Sequence, residues 1–593
     1  MVSKTGTGSG RDAWHTQLSD FPLLSFRFAT RCANLPQKCA QMIHPLPQEI
    51  SPFACGRLFP VPEGQRPRLL ILVPRAKFSV FNPMLALGPL MVAAAIKDFC
   101  DVRVIENNST LTVYSDDQLL DIVRDYRPDL LGFNVVAPNA WWAYQLMAKA
   151  RHAFPELVQI AGGLHAYHAA EEILALGQPD LVICGEGEIP IRKIMAMLAQ
   201  LLPVPVRMND ALRRDLISIP GLMFRDAHGQ SVTTGPVEWV TNLDDLPFID
   251  FSLTNIEDFL PLGKPDRQGV TSLVPTQRGC PYRCVFCKAD FMAGKIRNNS
   301  ADYVIANVAR LQREFNIDTV TFADNNFTIP RQRAMAICRL LVASGLSKTL
   351  TFRAWTNVLA PVDHEVCEAM VNANFISLQF GLERLSEQGM NAVNKRISLD
   401  VAVEKLRIIK ASGLKVFSNI LLGFPFETTE TIRTELATFE RYAAFIDGYQ
   451  VWVVSPVPGT ALYEQNPHAQ QWYLRPEFTR HRHAYFSLVF IDPVEAILLN
   501  LFQLDEKTIS AIVQAKKKYF LDFNFQRIKN PVLSLLFRLD IAMAYLSRWL
   551  YPRSMVLEEV LFWVPKILRS HLFSLVVRRY YKSLESHRPV ENE

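Results

Sequence analysis

The sequence predicts an α/β protein made of two sheets of parallel strands in series, followed by a helical region. Three observations carry that expectation. Short apolar runs alternate with helix-length segments from Arg68 to about residue 202, and the alternation resumes near Thr271 and runs to Tyr463. Beyond about residue 470, basic and aromatic helical sequence replaces it. With 593 residues, 49% hydrophobic and 20% charged, the chain has apolar material for more than one core. Its net charge of +5 is too small over that length to mark a nucleic-acid binder.

Residues 1–65 read as a partly disordered extension. The opening stretch MVSKTGTGSGRDAWHTQ lacks the apolar core of a secretory signal, and Asp12 and Asp20 count against a basic transit peptide. Six prolines lie between Pro36 and Pro62. Only three of the ten cysteines are closely clustered, which is not a disulfide framework, so a reducing cytoplasm is the expected compartment.

Residues 66–202 hold the first alternation. LLILVP after Arg68 is an apolar run of the kind buried in a parallel sheet. Leu87 to Phe99 follows as a helix and VRVIE as a strand, then a polar stretch ending in Tyr126. LLGFNVV is a third strand and AWWAYQLMAKARHAF a helix, and VQIAGG, HAAEEILALG and DLVICGEGE give strand, helix and strand again. That rhythm implies a doubly wound, Rossmann-like sheet. Gly162, Gly163, Gly185 and Gly187 fall at strand ends, where such sheets bind ligands. No GxGxxG follows the first strand, which lowers a dinucleotide-binding reading.

Residues 203–265, with IPGLMFRDAHGQ and DDLPFIDF, read as a linker containing short strands. From 266 to 470, strands are expected at SLVPTQRG, TVTFAD, TFRAWTNV, SLQFGLE, KVFSNILLGFP and YQVWVVSPV, with helices between them. About six βα units suit a partial (β/α)6, TIM-type barrel with its ligands at the C-terminal mouth. Residues 471–593 form the helical, basic and aromatic C-terminal region.

The chemistry concentrates in TQRGCPYRCVFCKADF, where Cys280, Cys284 and Cys287 stand in a CxxxCxxC array. Three thiolates in one loop favour a soft metal centre. Structural zinc normally takes four nitrogen or sulfur ligands, and no fourth cysteine or histidine lies at finger-like spacing here. A cluster of four irons held by three cysteines instead leaves one iron open. Zinc and ordinary buried cysteines are the alternatives.

This loop resembles that of the radical S-adenosylmethionine (SAM) superfamily, whose signature is matched by Cys280, Cys284 and Cys287, with Phe286 as the aromatic residue before the last cysteine. The resemblance implies that the three thiolates hold a 4Fe-4S cluster whose open iron chelates SAM, and that an electron from the cluster cleaves SAM to a 5′-deoxyadenosyl radical. Later segments resemble the same family in order. TFADNNF keeps Asp324 where relatives often have an acidic pair. FGLERLSEQGMNAVNK looks like the segment near the SAM ribose, with Glu383 as the polar candidate and Lys395 closing the motif. NILLGFPFET resembles the segment near the adenine and methionine, where Gly423 permits close backbone approach, and SPVPGTALY completes the set. The implied SAM pocket draws on Phe286, Glu383 and Gly423.

PRLLILVP, LALGPLMVAAAIKD, RPDLLGFNVV, IAGGLHAYHAAEEIL and DLVICGEGE resemble, in order, the cobalamin-binding domain that precedes many radical SAM domains. The implied cobalamin pocket draws on Gly162, Gly163, His165, Gly185 and Glu186. The DxHxxG motif that usually supplies a histidine to cobalt is absent, and His165 is expected to line the pocket rather than ligate the metal.

The function expected from these resemblances is that of a cobalamin-dependent radical SAM methyltransferase, moving a methyl group from methylcobalamin to an unactivated carbon of a biosynthetic intermediate. The alternatives are a cyclase, oxidase or rearrangement enzyme with the same cofactors and no methyl transfer, or a non-catalytic cobalamin-binding sensor. No residue is assigned as the catalyst. The expected partners are an electron donor such as flavodoxin or ferredoxin and a small-molecule or lipid substrate. From Lys529 to Arg588 basic residues interleave with Trp549, Phe562, Trp563 and Phe573, but no uncharged run approaches the roughly 20 residues of a membrane span. A helical cap on the barrel is preferred there, with peripheral membrane contact through interfacial helices as the second reading.

Overall fold

The computed structural model describes residues 65–75, 85–107, 114–256, 271–288, 295–473 and 502–515. The N-terminal extension and most of the C-terminal region expected above lie outside the described residues.

The first sheet begins with β1 (Arg68–Val73), whose residues after Arg68 are all buried. Helix α1 (Leu87–Ala94) leads to β2 (Asp101–Glu106), which pairs parallel with one edge of β1. The polar stretch expected before Tyr126 is a helix, α2 (Asp116–Tyr126). Its N-terminus is a capping box: Gln118 N–H donates to Ser115 Oγ at 3.2 Å, and Ser115 N–H donates to Gln118 Oε1 at 2.9 Å. Ser-Asp-Asp-Gln ahead of Leu119 and Leu120 was the readable signal for it.

The chain then returns to the other side of β1 with β3 (Leu130–Asn134) and continues through α3 (Ala140–Ala153), β4 (Val158–Gly162), α4 (Ala166–Glu172), β5 (Leu181–Ile183) and α5 (Glu188–Leu201). Strand order reverses at β1, between β2 and β3, which opens the crevice such sheets use for ligands. After α6 (Asp210–Leu216), β6 (Leu222–Arg225) joins the same sheet antiparallel to β5, and β7 (Ser231–Thr233) follows antiparallel to β6. The short strands expected in a linker therefore extend the first sheet to seven strands, in the order β2-β1-β3-β4-β5-β6-β7.

A second sheet starts at β8 (Thr271–Val274). Two-residue strands β9 (Gln277–Arg278) and β10 (Arg297–Asn298) pair antiparallel and bracket the cysteine loop. Helix α7 (Ala301–Phe315), β11 (Thr319–Phe322), α8 (Arg331–Ala343), β12 (Thr351–Asn357), α9 (His364–Asn372) and β13 (Phe375–Gly381) follow. Then come α10 (Glu387–Ala392), α11 (Leu399–Ala411), β14 (Lys415–Leu422), α12 (Thr429–Tyr442) and β15 (Gly448–Val453). The six long strands lie parallel in chain order, with β8 and β15 as the two edges of a curled half-barrel.

Burial separates the two sheets. β3 is buried at every position, as a strand covered on both faces must be. β12 and β14 alternate strictly instead. Phe352, Ala354, Ile420 and Leu422 are buried, while Arg353, Trp355, Phe417 and Asn419 are half-buried. One face of each is packed and the other lines an open lumen.

Helices α13 (Ala461–Glu464) and α14 (Pro467–Tyr473) close the barrel sequence. Phe502, at the start of the last described segment, packs in one apolar cluster with Val393, Phe424, Val454 and Leu462, so this part of the C-terminal region caps the barrel mouth. No helix among the described residues is long and apolar enough to cross a membrane.

Candidate functional site

The cysteine loop leaves β9 through Gly279, whose φ of +94° and whose neighbour, the Lys295 carbonyl standing where a Cβ would go, both require glycine. Cys280 and Cys284 are buried and Cys287 is exposed. Cys287 N–H donates to the Cys284 carbonyl at 3.0 Å. Asn326 donates from Nδ2 to Cys280 Sγ at 3.0 Å, and its Oδ1 accepts the Asn357 N–H at 3.1 Å. This asparagine, quoted within TFADNNF but given no role from sequence, is the direct polar partner of the first cysteine.

Asp324, two residues earlier, is wholly buried and accepts the Thr276 N–H at 2.6 Å and the Thr276 hydroxyl at 2.5 Å. Burial pushes its carboxyl up, with the Arg333 guanidinium pulling the other way. Arg333 also donates to the Thr276 carbonyl at 2.9 Å, so β8 is pinned to the end of β11 immediately ahead of the cysteines.

Lys395 is fully buried and lies in the field of all three cysteine sulfurs. Burial lowers it to about 8, against the pull of Cys284, Cys287 and Cys280. Its Nζ donates to the Gly381 carbonyl at 2.6 Å and pairs with Glu383. Burial also pushes the Cys284 thiol up to about 11, Lys395 opposing, and the Tyr282 phenol up to about 12 with Cys280 and Cys284 adding to it. Among the described residues no three His, Cys, Asp or Glu side chains converge as ligands of one ion. A four-iron cluster gives each thiolate a different iron, and the requirements it sets are three thiols in one loop, a neighbouring cation and a hydrogen-bond donor to sulfur. These residues fit such a cluster.

The three residues expected at the SAM pocket lie around this loop. Glu383 sits just past β13 in a left-handed conformation (φ +53°), an uncommon position for a residue with a Cβ, and its carbonyl accepts the Leu421 N–H at 3.1 Å. Phe286 meets Phe424 edge-on with ring centroids 6.0 Å apart. Gly423, at φ +94°, donates its N–H to Glu427 Oε2 at 2.5 Å. Behind them Arg384, almost wholly buried, bridges Glu427 and Glu435 and donates to the Leu421 carbonyl at 2.8 Å. Glu435 in turn accepts backbone N–H groups of Leu385 and Ser386. This triad, which sequence reasoning missed, ties the end of β13 to the end of β14.

At the first sheet the expected cobalamin residues divide. Gly163 needs its glycine for the backbone, since at φ +110° a Cβ would lie 2.6 Å from the Val135 carbonyl, and Gly162 accepts the Val135 N–H at 2.7 Å. Gly185 and Gly187 differ. The space beside Gly185 is filled by Val237, and that beside Gly187 by Val92, 2.8 Å from where a Cβ would stand. Their missing side chains accommodate this chain's own valines.

His165 is also turned inward. Its Nε2 lies 3.3 Å from Glu172 Oε1, which accepts the Tyr144 hydroxyl at 2.8 Å. Glu186 is not a free pocket residue. Its carboxylate pairs with Arg297 at 2.5 Å and Arg278 at 3.0 Å, while Arg278 also pairs with Glu188 at 2.5 Å. Burial would push Glu186 up, but Arg297 and Arg278 outweigh it and hold its carboxyl below the usual range. The end of β5 is thereby fastened to β9 and β10, the two strands that flank the cysteine loop.

A second junction lies beside it. His168 on α4, Lys288 directly after Cys287, and Gly459 beyond β15 converge: a Cβ on Gly459 would come within 2.7 Å of His168 Nδ1, and Lys288 Nζ donates to the Gly459 carbonyl. Burial lowers His168 to about 3, helped by Lys288 and His165. The strand ends of both sheets thus border one region that contains the cysteine loop.

Residues 274–438 match the family model of the radical SAM superfamily, and residues 77–195 match that of the B12 binding domain. An uncharacterized methyltransferase of Pyrococcus horikoshii is 25% identical over 67% of this chain and 82% of its own length. An anaerobic magnesium-protoporphyrin IX monomethyl ester cyclase of Cereibacter sphaeroides is 22% identical over 59% of this chain, and the match spans about half, 55%, of that relative. The solved structure of the cobalamin-dependent S-adenosylmethionine radical enzyme OxsB, with aqua-cobalamin and S-adenosylmethionine bound, has the same fold over 88% of this chain and 80% of its own, with a TM-score of 0.57 and 14% identity.

Proposed function

The chain is a radical SAM protein that carries a cobalamin-binding domain, and from that premise we propose an enzyme that forms a substrate radical in the region between the strand ends of its two sheets. The observation that carries this is the Glu186 and Glu188 pairing with Arg278 and Arg297, which faces the end of β5 toward the base of the cysteine loop. Cys280, Cys284 and Cys287 would hold the 4Fe-4S cluster, Phe286, Glu383 and Gly423 would border SAM, and Gly162 and Gly163 would border the cobalamin. When bound, cluster and SAM supply a hydrogen-abstracting radical, and cobalamin supplies the group or electron that decides its fate.

The protein's own contribution is shape and electrostatics. Asn326 and Lys395 place a donor and a cation beside the thiolates, stabilising negative charge there. The cap formed by Phe286, Phe424 and Phe502 keeps that end of the barrel apolar, which excludes water from a reactive radical.

For the fate of the radical we favour chemistry without methyl transfer: ring closure, oxidation or rearrangement. The cyclase relative supports it. Methyl transfer is the second reading, favoured by the Pyrococcus relative, whose match spans the larger share of both chains. The test is anaerobic protein reconstituted with iron, sulfide and hydroxocobalamin, then given SAM and dithionite in place of flavodoxin or ferredoxin. 5′-Deoxyadenosine should appear with the native chain and vanish with Cys284→Ala; none from the native chain would sink the enzyme reading. In extracts of cells with and without the protein, a product heavier by one CH₂ selects methyl transfer, and one without that gain selects the favoured reading.

A further inference from the structure

A cluster that cleaves SAM must first receive an electron, and two of its three cysteines, Cys280 and Cys284, are buried, with Lys395 wholly buried beside them. One patch of surface lies a single residue away from both Cys284 and Lys395. Arg283 precedes Cys284 and Arg396 follows Lys395, and both arginines are exposed. The backbone brings the two segments together. Asn394 donates from Nδ2 to the Arg283 carbonyl at 2.7 Å, and Val285 N–H donates to the Val393 carbonyl at 3.3 Å, so residues 281–285 and 393–396 run side by side. Asn394 is left-handed (φ +61°), and directly after it Lys395 is buried and Arg396 exposed.

Among the described residues neither guanidinium has an ion-pair or hydrogen-bond partner. Residues 281–285 and 391–398 contain no Asp or Glu to offset them. Exposed Pro281 and half-buried Tyr282 complete the patch. Positive charge held on a fixed backbone, next to a cluster ligand and without acidic neighbours in its own segments, attracts a negatively charged protein surface.

We propose that Arg283 and Arg396 are the docking point of the electron donor, a small acidic one-electron carrier protein that binds over this thin cover and reduces the cluster. The reduced carrier gives up one electron, the oxidised cluster takes it, and no proton or group moves. Complementary charge of this kind governs encounter rate and orientation more than final affinity, which suits a carrier that must leave once its electron is delivered.

The proposal rests on the radical SAM reading above and names the partner of that site. The test uses the full chain reconstituted with its cluster, titrated with a flavodoxin and, separately, with a ferredoxin. One of them should bind, and its affinity should fall about tenfold or more as salt rises from about 50 to about 500 mM, because exposed charges are screened. The double reversal Arg283→Glu, Arg396→Glu should weaken binding by about tenfold or more at low salt. It should slow 5′-deoxyadenosine formation driven by the reduced carrier to the same extent and leave the dithionite-driven reaction unchanged. Arg214→Glu, a charge reversal at an exposed position on α6, should alter neither. Binding that survives the double reversal or is indifferent to salt overturns the proposal, as does a native chain that binds neither carrier. Equal loss of the carrier-driven and dithionite-driven reactions overturns it too, and assigns the arginines to holding the cluster. The milder pair Arg283→Gln, Arg396→Gln guards against simple misfolding: it should lose carrier binding with the cluster's visible absorbance intact. A native chain that makes no 5′-deoxyadenosine with dithionite overturns the functional reading instead, while the binding titration still reads the docking.

Discussion

The strand ends of the two sheets face the same region but are built on different terms. Around the barrel, the groups that fix the geometry meet partners within the chain: Asp324 meets Thr276, Asn326 meets Cys280 and Asn357, and Arg384 forms ion pairs with Glu427 and Glu435, while Gln277 Oε1, Arg333 Nη1 and Arg384 Nε make no hydrogen bond. At the first sheet His168 Nε2 is left unmet and Leu164 uncovered. The barrel mouth holds its geometry before any cofactor arrives, as electrostatic stabilisation of a reactive centre requires. The first sheet leaves part of its surface to be completed by what binds.

The largest effect should follow from breaking the barrel side. Cys284→Ala removes one of three thiolates that hold the cluster, and the reconstituted variant should lose essentially all of its iron-based visible absorbance. Cobalamin uptake should be unchanged. If cobalamin binding falls equally, the two ends are not independent and the contrast fails.

Arg384→Met comes next. It leaves Glu427 and Glu435 buried without their cation, and breaking a buried pair in this way costs about 3–5 kcal/mol. Denaturant unfolding should show that loss. A comparable loss is not expected from His168→Ala, because that side chain's Nε2 makes no hydrogen bond to give up.

Much of this contrast was legible in the sequence, though unequally. The three cysteines are a local motif, so spacing alone located them, and the six barrel strands read directly from their apolar runs. Helix α2 escaped because its many charged residues read only as a polar stretch, although Ser115 and Gln118 spelled out its cap. Glu186 was assigned to the cobalamin pocket because its partners are remote: Arg297 lies 111 residues further on, and no local pattern announces the pairing. Asn326 and the Arg384 triad were missed for the same reason. Their meaning lies in contacts between strand ends that only the closed sheet creates.

The clamp between the two regions gives a smaller, pH-dependent effect. Arg278→Ala strips Glu188 of its partner and leaves Glu186 with Arg297 alone, at an expected cost of about 2–3 kcal/mol near neutral pH, below the full buried-pair value because Arg297 remains. The sign in acid follows from the depressed Glu186 carboxyl. Its stabilisation is fully present above the ordinary glutamate value of about 4.3 and is lost as pH falls through the lower folded value. The stability gap between native chain and variant should therefore be constant at pH 6–7 and shrink below about pH 4. A gap that persists undiminished into stronger acid would mean that Arg278 acts through packing rather than charge.

The smallest effect tests the glycines, where sequence and structure part most clearly. Gly185→Ala drives a methyl into Val237, and overpacking of that kind costs about 1–3 kcal/mol. If the glycine serves the valine, Val237→Ala should make room, and the double variant should be more stable than the two single losses added together, by about 1 kcal/mol. If Gly185 instead faces the corrin, Val237→Ala gives no such relief, and the alanine shows its effect as weakened cobalamin binding in an otherwise stable fold. Gly163→Ala supplies the contrast: its obstruction is the Val135 carbonyl at φ +110°, backbone that no second substitution can trim, so its loss should resist rescue. Which of the two patterns Gly185 follows decides whether that strand end is interior packing or binding surface.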